Sequence, residues 1–158
     1  MITTPSTSQL VQSVSSQLRA KVMPELTDPA LVVELEMMIS MLDMAAVRAD
    51  HETAWMLQEA DDVNAMLSEA AAAGELPEPV RGALARLQAS QPADLGYSEV
   101  QRHYGLASEA LALAAELAHA GNPRLRSLVW SLLERRGDHE LSTIGAYVAV
   151  GRSENQSS

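Results

Sequence analysis

Three observations predict an all-α fold, a single domain built as a bundle of six or seven mostly antiparallel helices. Apolar residues recur every three to four positions through most of the chain, the period of one helical face. Caps, prolines and glycines punctuate that pattern at short intervals, so successive helices turn back on one another. No stretch shows the apolar–polar alternation of a half-buried strand.

Residues 1–7 are polar and are expected to be a disordered tail, with the bundle over 8–151 and a second tail over 152–158. Thr7 or Ser8 caps a first helix whose Val11, Val14, Leu18 and Val22 share a face, and Pro24 ends it near Met23. Asp28-Pro29 opens the second helix: aspartate accepts from orphan backbone donors, and proline at the first helical position needs none. Its segment Asp28–Met44 has the densest apolar content and four of the chain's 8 methionines, so it is expected to be the central helix. Leu31, Leu35, Met38, Leu42, Ala45, Ala49, Thr53, Met56, Ala60, Val63 and Leu67 fall on one face.

No glycine or proline occurs between Pro29 and Gly74. One helix over that span would be about 67 Å long, against about 40 Å for a compact globule of this size. A break near Ala49–Asp50 is therefore expected, with Asp50 capping a new helix and Glu52 in its first turn. Gly74 and the two prolines after it make a turn, and Val80, Leu84 and Leu87 mark a short helix over 78–90. Ser98-Glu-Val-Gln101 reads as a capping box for a helix reaching Ala120, with Val100, Tyr104, Ala107, Leu111, Ala114 and Ala118 inward. Gly121-Asn122-Pro123 stops it and starts the next, which Gly137 ends. Asp138 then caps a last helix to about Gly151, with Leu141, Ile144 and Val148 inward.

The chain has no cysteine, which removes disulfides, thiol nucleophiles and thiolate metal sites and suits a reducing cytoplasm. Phenylalanine is absent, so the core must be Leu, Ala, Val and Met. The alanine-rich usage, with arginine over lysine, suggests a bacterial source. The start lacks a basic n-region and an apolar h-region, and Glu34, Glu36, Asp43 and Arg48 interrupt the most apolar run, so no membrane span is expected. Residues 31–78 hold eleven carboxylates against Arg48 alone, which accounts for the whole net charge of -10. Nucleic acid and anionic membranes are poor partners for such a surface. Arg124, Arg126, Arg135 and Arg136 form the basic cluster that can neutralise part of it.

Two patterns invite a metal reading. Glu116-x-x-His119 has the spacing used in di-metal bundles, but no second Glu-x-x-His exists to complete the set. Asp50-His51-Glu52 recurs as Asp138-His139-Glu140, two potential ligand triplets for Zn, Fe or Mn. Consecutive helical residues fan out by about 100°, so whole triplets cannot converge; a cap followed by a first turn explains the same letters, and no cofactor is expected. Neither triplet is a zincin motif, because Trp55 and Thr143 stand where the second histidine belongs. Met37, Met41 and Met44 flank the main apolar stripe and widen its arc beyond what one neighbour covers. Methionines suit either a central core helix or an adaptable contact surface for a protein partner or a second copy, and buried and exposed side chains decide between them. Trp55 and Trp130 are expected at core edges.

The stretch Leu10–Leu42, LVQSVSSQLRAKVMPELTDPALVVELEMMISML, sets an amphipathic helix, a V-x-P-x-L turn and an apolar helix in that order. It resembles the start of uncharacterised small helical proteins encoded beside aminoglycoside-phosphotransferase-like and acyl-CoA-dehydrogenase genes in bacteria. The resemblance covers about a fifth of the chain. It brings no catalytic residues and implies an accessory protein. The leading expectation is therefore a non-enzymatic, cytoplasmic accessory or interaction module, with self-association as a homodimer among its forms. A metal-dependent bundle enzyme using the Asp-His-Glu segments is the first alternative, and a binder of a small apolar ligand the second.

Overall fold

A computed structural model describes residues 5–119, 121 and 123–144. These residues form five α-helices and no strand: α1 (Thr7–Gln17), α2 (Pro29–Ala72), α3 (Glu78–Ala89), α4 (Tyr97–His119) and α5 (Pro123–Ile144). The all-α class is as expected, with five helices in place of six or seven. The chain divides into two compact units, Met1–His51 with Glu140–Ser158, and Glu52–His139. Outside the described residues lie the tail at 152–158, most of the tail at 1–7, and the expected helix end near Gly151 with Val148.

The first unit starts on a capping box one residue earlier than expected. The Ser6 hydroxyl accepts from the Gln9 N–H at 3.2 Å, and the Gln9 side-chain oxygen accepts from the Ser6 N–H at 2.8 Å. Thr7 and Ser8 could not close this pair, because the residues three ahead of them are Leu10 and Val11. Residues 6 and 7 therefore belong to the fold, not to a tail. After α1 a wider π turn (Leu18–Val22) and a short 3-10 turn (Met23–Glu25) carry the chain past Pro24, which has no N–H for the α ladder. Asp28 caps α2 as expected, accepting from the Ala30 N–H at 2.9 Å.

Helix α2 does not break. It is helical without interruption from Pro29 to Ala72, so Asp50 is an interior residue and not a cap. Nothing between these ends removes a backbone donor, and Ala, Leu, Met and Glu dominate its composition. It closes on a Schellman motif: the Glu75 N–H reaches the Ala70 carbonyl and the Gly74 N–H the Ala71 carbonyl, both at 3.0 Å. Gly74 sits at φ 73°, where a side chain would be strained.

The second unit holds the main hydrophobic core. Ala60, Val63 and Leu67 of α2, Val80 and Leu87 of α3, Ala107, Ala110, Leu111 and Ala114 of α4, and Leu125 and Leu132 of α5 are all buried in one cluster. Its alanines let helix backbones approach closely without aromatic side chains. The core is therefore centred on the C-terminal half of α2, not on the Asp28–Met44 segment. Gln88 of α3 donates to Asn64 (3.0 Å) and Ser68 (3.1 Å) of α2 at the edge of this cluster.

Two further helix signals are overridden. Ser98 lies inside α4, which begins at Tyr97; Asp94 folds back instead, accepting from the Gly96 N–H at 2.7 Å, and the Gly96 carbonyl takes the first helical bond from Val100. Helix α5 runs straight through Gly137, so Asp138 caps nothing. On either side of Gly137, Arg136 is tied to Glu59 and His139 is stacked on Trp55, which holds the backbone helical through a residue of poor propensity. Leu141 is exposed rather than inward.

A Cβ added at Gly137 meets no atom within 4 Å, and its φ is not positive. Gly137→Ala is accordingly expected to stabilise the protein by about 0.5–1 kcal/mol in urea denaturation. A loss of stability would mean that Gly137 ends a helix after all.

Candidate functional site

In the first unit, the N-terminal half of α2 turns Leu35, Ile39 and Ala46 inward, with the half-buried Asp43 beside them, and its methionine side outward. Asp43 accepts the Ser15 hydroxyl of α1 and an Arg19 guanidinium N–H at 3.0 Å. Ser8 and Ser15 are buried, as are Leu35, Ile39 and Ala46 of α2. This contact sets the rotation of α2. Successive residues step by about 100°, so fixing Asp43, Ile39 and Ala46 inward sends the opposite arc to the surface. That arc carries Leu31 (47% exposed), Val33 (42%), Met37 (40%), Met38 (50%) and Met41 (57%), with Met44 half-buried beside them.

The predicted inward face thus holds in the second unit, where Ala60, Val63 and Leu67 are buried, and only in part in the first, where Leu35 is buried. There Leu31, Met38, Ala45 and Ala49 face solvent. The reason is polar: Ser15 of α1 and Arg19 of the π turn pair with Asp43 rather than with methionine. Of the contact candidates, Met37 and Met41 are exposed within the chain and Met44 is partly so. Soluble chains rarely leave this much unbranched and branched apolar surface on four adjacent turns unless something covers it.

The second unit contains a charged cluster that the sequence did not reveal. Glu59 of α2 is buried. It accepts from Arg136 Nε at 2.8 Å and again from Arg136 Nη2, and from the Tyr104 hydroxyl at 3.2 Å. Arg136 also reaches the Ser108 hydroxyl at 3.2 Å and lies 5.5 Å from the Tyr104 ring centre. One turn away, Arg135 pairs with Asp62 at 2.7 Å. Burial raises the Tyr104 hydroxyl pKa, and the Glu59 charge adds to the rise. Burial works against the charged Arg136, but its bonds to Glu59 outweigh that, and its pKa is raised. The cluster joins α2, α4 and α5 with every group satisfied, the arrangement of a structural network rather than of reactants waiting for substrate. The expected neutralisation of acidic residues by Arg135 and Arg136 is seen here; the Arg124 side chain lies outside the described residues. Two signals could have exposed the cluster, Glu59 on the apolar face one step from Ala60, and Tyr104 on the inward face of α4.

The metal candidates lie on three helices, α2, α4 and α5. Asp50, His51, Glu52, Asp138, His139 and Glu140 are interior helical residues, and Glu116 and His119 are exposed near the end of α4. His139 stacks flat on Trp55, ring centres 4.8 Å apart at 9°. Among the described residues no group of three or more His, Asp or Glu side chains is placed to hold a metal ion. A different histidine, His103, is buried, and its Nδ1 lies 2.8 Å from the Ser90 carbonyl. The carbonyl can only accept, so Nδ1 carries the proton. Arg102 donates to the Ser90 hydroxyl beside it and lowers the pKa of Glu99 by a hydrogen bond and its charge.

A groove of about 460 Å³ runs along α4 and α5, lined by Ala115, Ala118, Val129, Trp130 and Leu133 with His119 and Arg126. It is open to solvent, and Trp130 is exposed rather than at a core edge. Among the described residues no helix is long and apolar enough to cross a membrane. No family model, curated protein or solved structure matches the chain.

The raised Tyr104 pKa carries a pH dependence. A group whose pKa is higher folded than unfolded contributes stability below its unfolded value, and that contribution is lost as pH rises through the folded one. Stability is expected to fall as pH rises above 10.0, the ordinary tyrosine value. The fall is expected to be shallower in Tyr104→Phe, followed by urea denaturation at pH 8 to 11. An unchanged slope would remove Tyr104 as its source.

Proposed function

We propose that the chain is a non-enzymatic interaction module of the cytoplasm whose working surface is the outward face of α2 around Met41. A single observation carries this reading: the half-helix buries only Leu35, Ile39 and Ala46, bonds Ser15 of α1 through the half-buried Asp43, and leaves Leu31, Val33, Met37, Met38 and Met41 exposed. Apolar surface of that kind gains free energy only when a partner removes it from water, and methionine adapts its shape to the partner. The absence of cysteine suits a reducing compartment. The resemblance of Leu10–Leu42 to accessory proteins points the same way, since this stretch forms α1 and the exposed part of α2.

An enzyme reading is supported less well. The most polar cluster, around Glu59, is internally paired, and the Asp-His-Glu segments are helix interiors whose side chains diverge.

The test is photo-crosslinking in cells with a benzophenone amino acid at position 41, and at the exposed Gln101 as a control. Protein adducts are expected at 41 and not at 101. No adduct at 41, or equal adducts at both positions, would overturn the reading.

A further inference from the structure

The exposed arc of α2 has a finer pattern than apolarity. Leu31, Glu34, Met38, Met41, Ala45 and Arg48 are all exposed and follow one another at spacings of three, four, three, four and three. That is the seam of a helix that packs on a second helix along its length. The seam lies wholly within the first unit. Its apolar members are three large side chains and one alanine, and its two charged members have opposite sign. Glu34 and Arg48 each stand seven residues from Met41, one on either side, which is about 10.5 Å along the axis.

We propose that the occupant of this face is a second copy of the same chain, with the two α2 helices antiparallel and related by a two-fold axis near Met41. The proposal rests on the interaction-module reading and names its partner. Charge selects the copy and its direction. In an antiparallel pair centred on Met41, Glu34 of one protomer falls beside Arg48 of the partner subunit, and the symmetry repeats the pair on the other side of the axis. A parallel pair would set glutamate against glutamate and arginine against arginine, each a like-charge contact. Met38, Met41 and their symmetry mates fill the middle of the seam, and the small Ala45 side chain lets the backbones approach. Arg48 also takes part in an interaction within its own chain; an exposed guanidinium has five donors and serves two acceptors.

The experiment is sedimentation equilibrium on the full chain from 1 to 100 μM, for the wild type, Glu34→Arg, Arg48→Glu and the double swap, with helix content checked by circular dichroism. The wild type is expected to sediment as a dimer. Each single reversal sets like charges together twice and is expected to raise the dissociation constant by at least about tenfold. The double swap restores opposite charges and is expected to return it to within about threefold of wild type. That recovery separates a contact across the axis from a general effect of surface charge. A wild-type chain at monomer mass throughout, single reversals without effect, or a double swap weaker than either single would each overturn the proposal. If residue 41 crosslinks in cells to other proteins while the purified chain is a monomer, the second-copy proposal fails and the interaction-module reading stands.

Discussion

Asp43 is the residue on which the first unit depends. Held between the Ser15 hydroxyl and the Arg19 guanidinium, it decides which side of α2 meets α1. A helix has only one rotation about its axis to set, and the bonds that Ser15 and Arg19 make to the half-buried Asp43 set it together with the burial of Leu35, Ile39 and Ala46. Once Asp43 faces inward, Ile39 and Ala46 follow it, and Leu31, Met38 and Met41 have nowhere to go but the surface.

The second unit is arranged by a different balance. Alanine and leucine stripes of α2, α3, α4 and α5 close over one another, and its main charged group, Glu59, is matched by Arg136 and Tyr104 at the edge of the core. A buried pair of this kind adds less to stability than a well-packed apolar contact would, but it allows one mutual register of three helices, since any other leaves Glu59 without its donors. The same network explains why α5 continues through Gly137. The two units thus use polar contacts for opposite ends: in the second to complete a core, in the first to hold a hydrophobic face in solvent.

Helix identity was legible in the residues wherever a backbone rule applied. Asp28-Pro29, Gly74 and the stripe of Val80, Leu84 and Leu87 all do what their chemistry dictates. Reading failed where a local signal was real but optional. Asp50, Ser98 and Asp138 are good caps in isolation, yet a cap only relieves donors that a helix end has already exposed. At Asp50 and Asp138 no helix ends, because no proline removes the bond and tertiary contacts favour continuation; at Ser98 the start of α4 has already been closed upstream by Asp94 and Gly96. The Asp-His-Glu repeat offers the letters of ligand chemistry, but consecutive helical residues fan out by about 100°, so adjacency in sequence does not by itself bring a triplet together.

The sequence by itself determined that the chain is helical, that its net charge is carried by 31–78, and that Met37, Met41 and Met44 lie together on one flank of α2. These follow from propensity, counting and the 3.6-residue period, none of which needs a neighbour. Only the tertiary structure decided whether that flank is core or surface. The periodicity of α2 offers an apolar arc too wide for one contact, and the choice within it belongs to Asp43 and Ser15 of α1, which lie 28 residues apart in sequence. A pattern along one helix cannot state which partner side chain will claim it; the hydrogen bond that does so exists only after the helices have met.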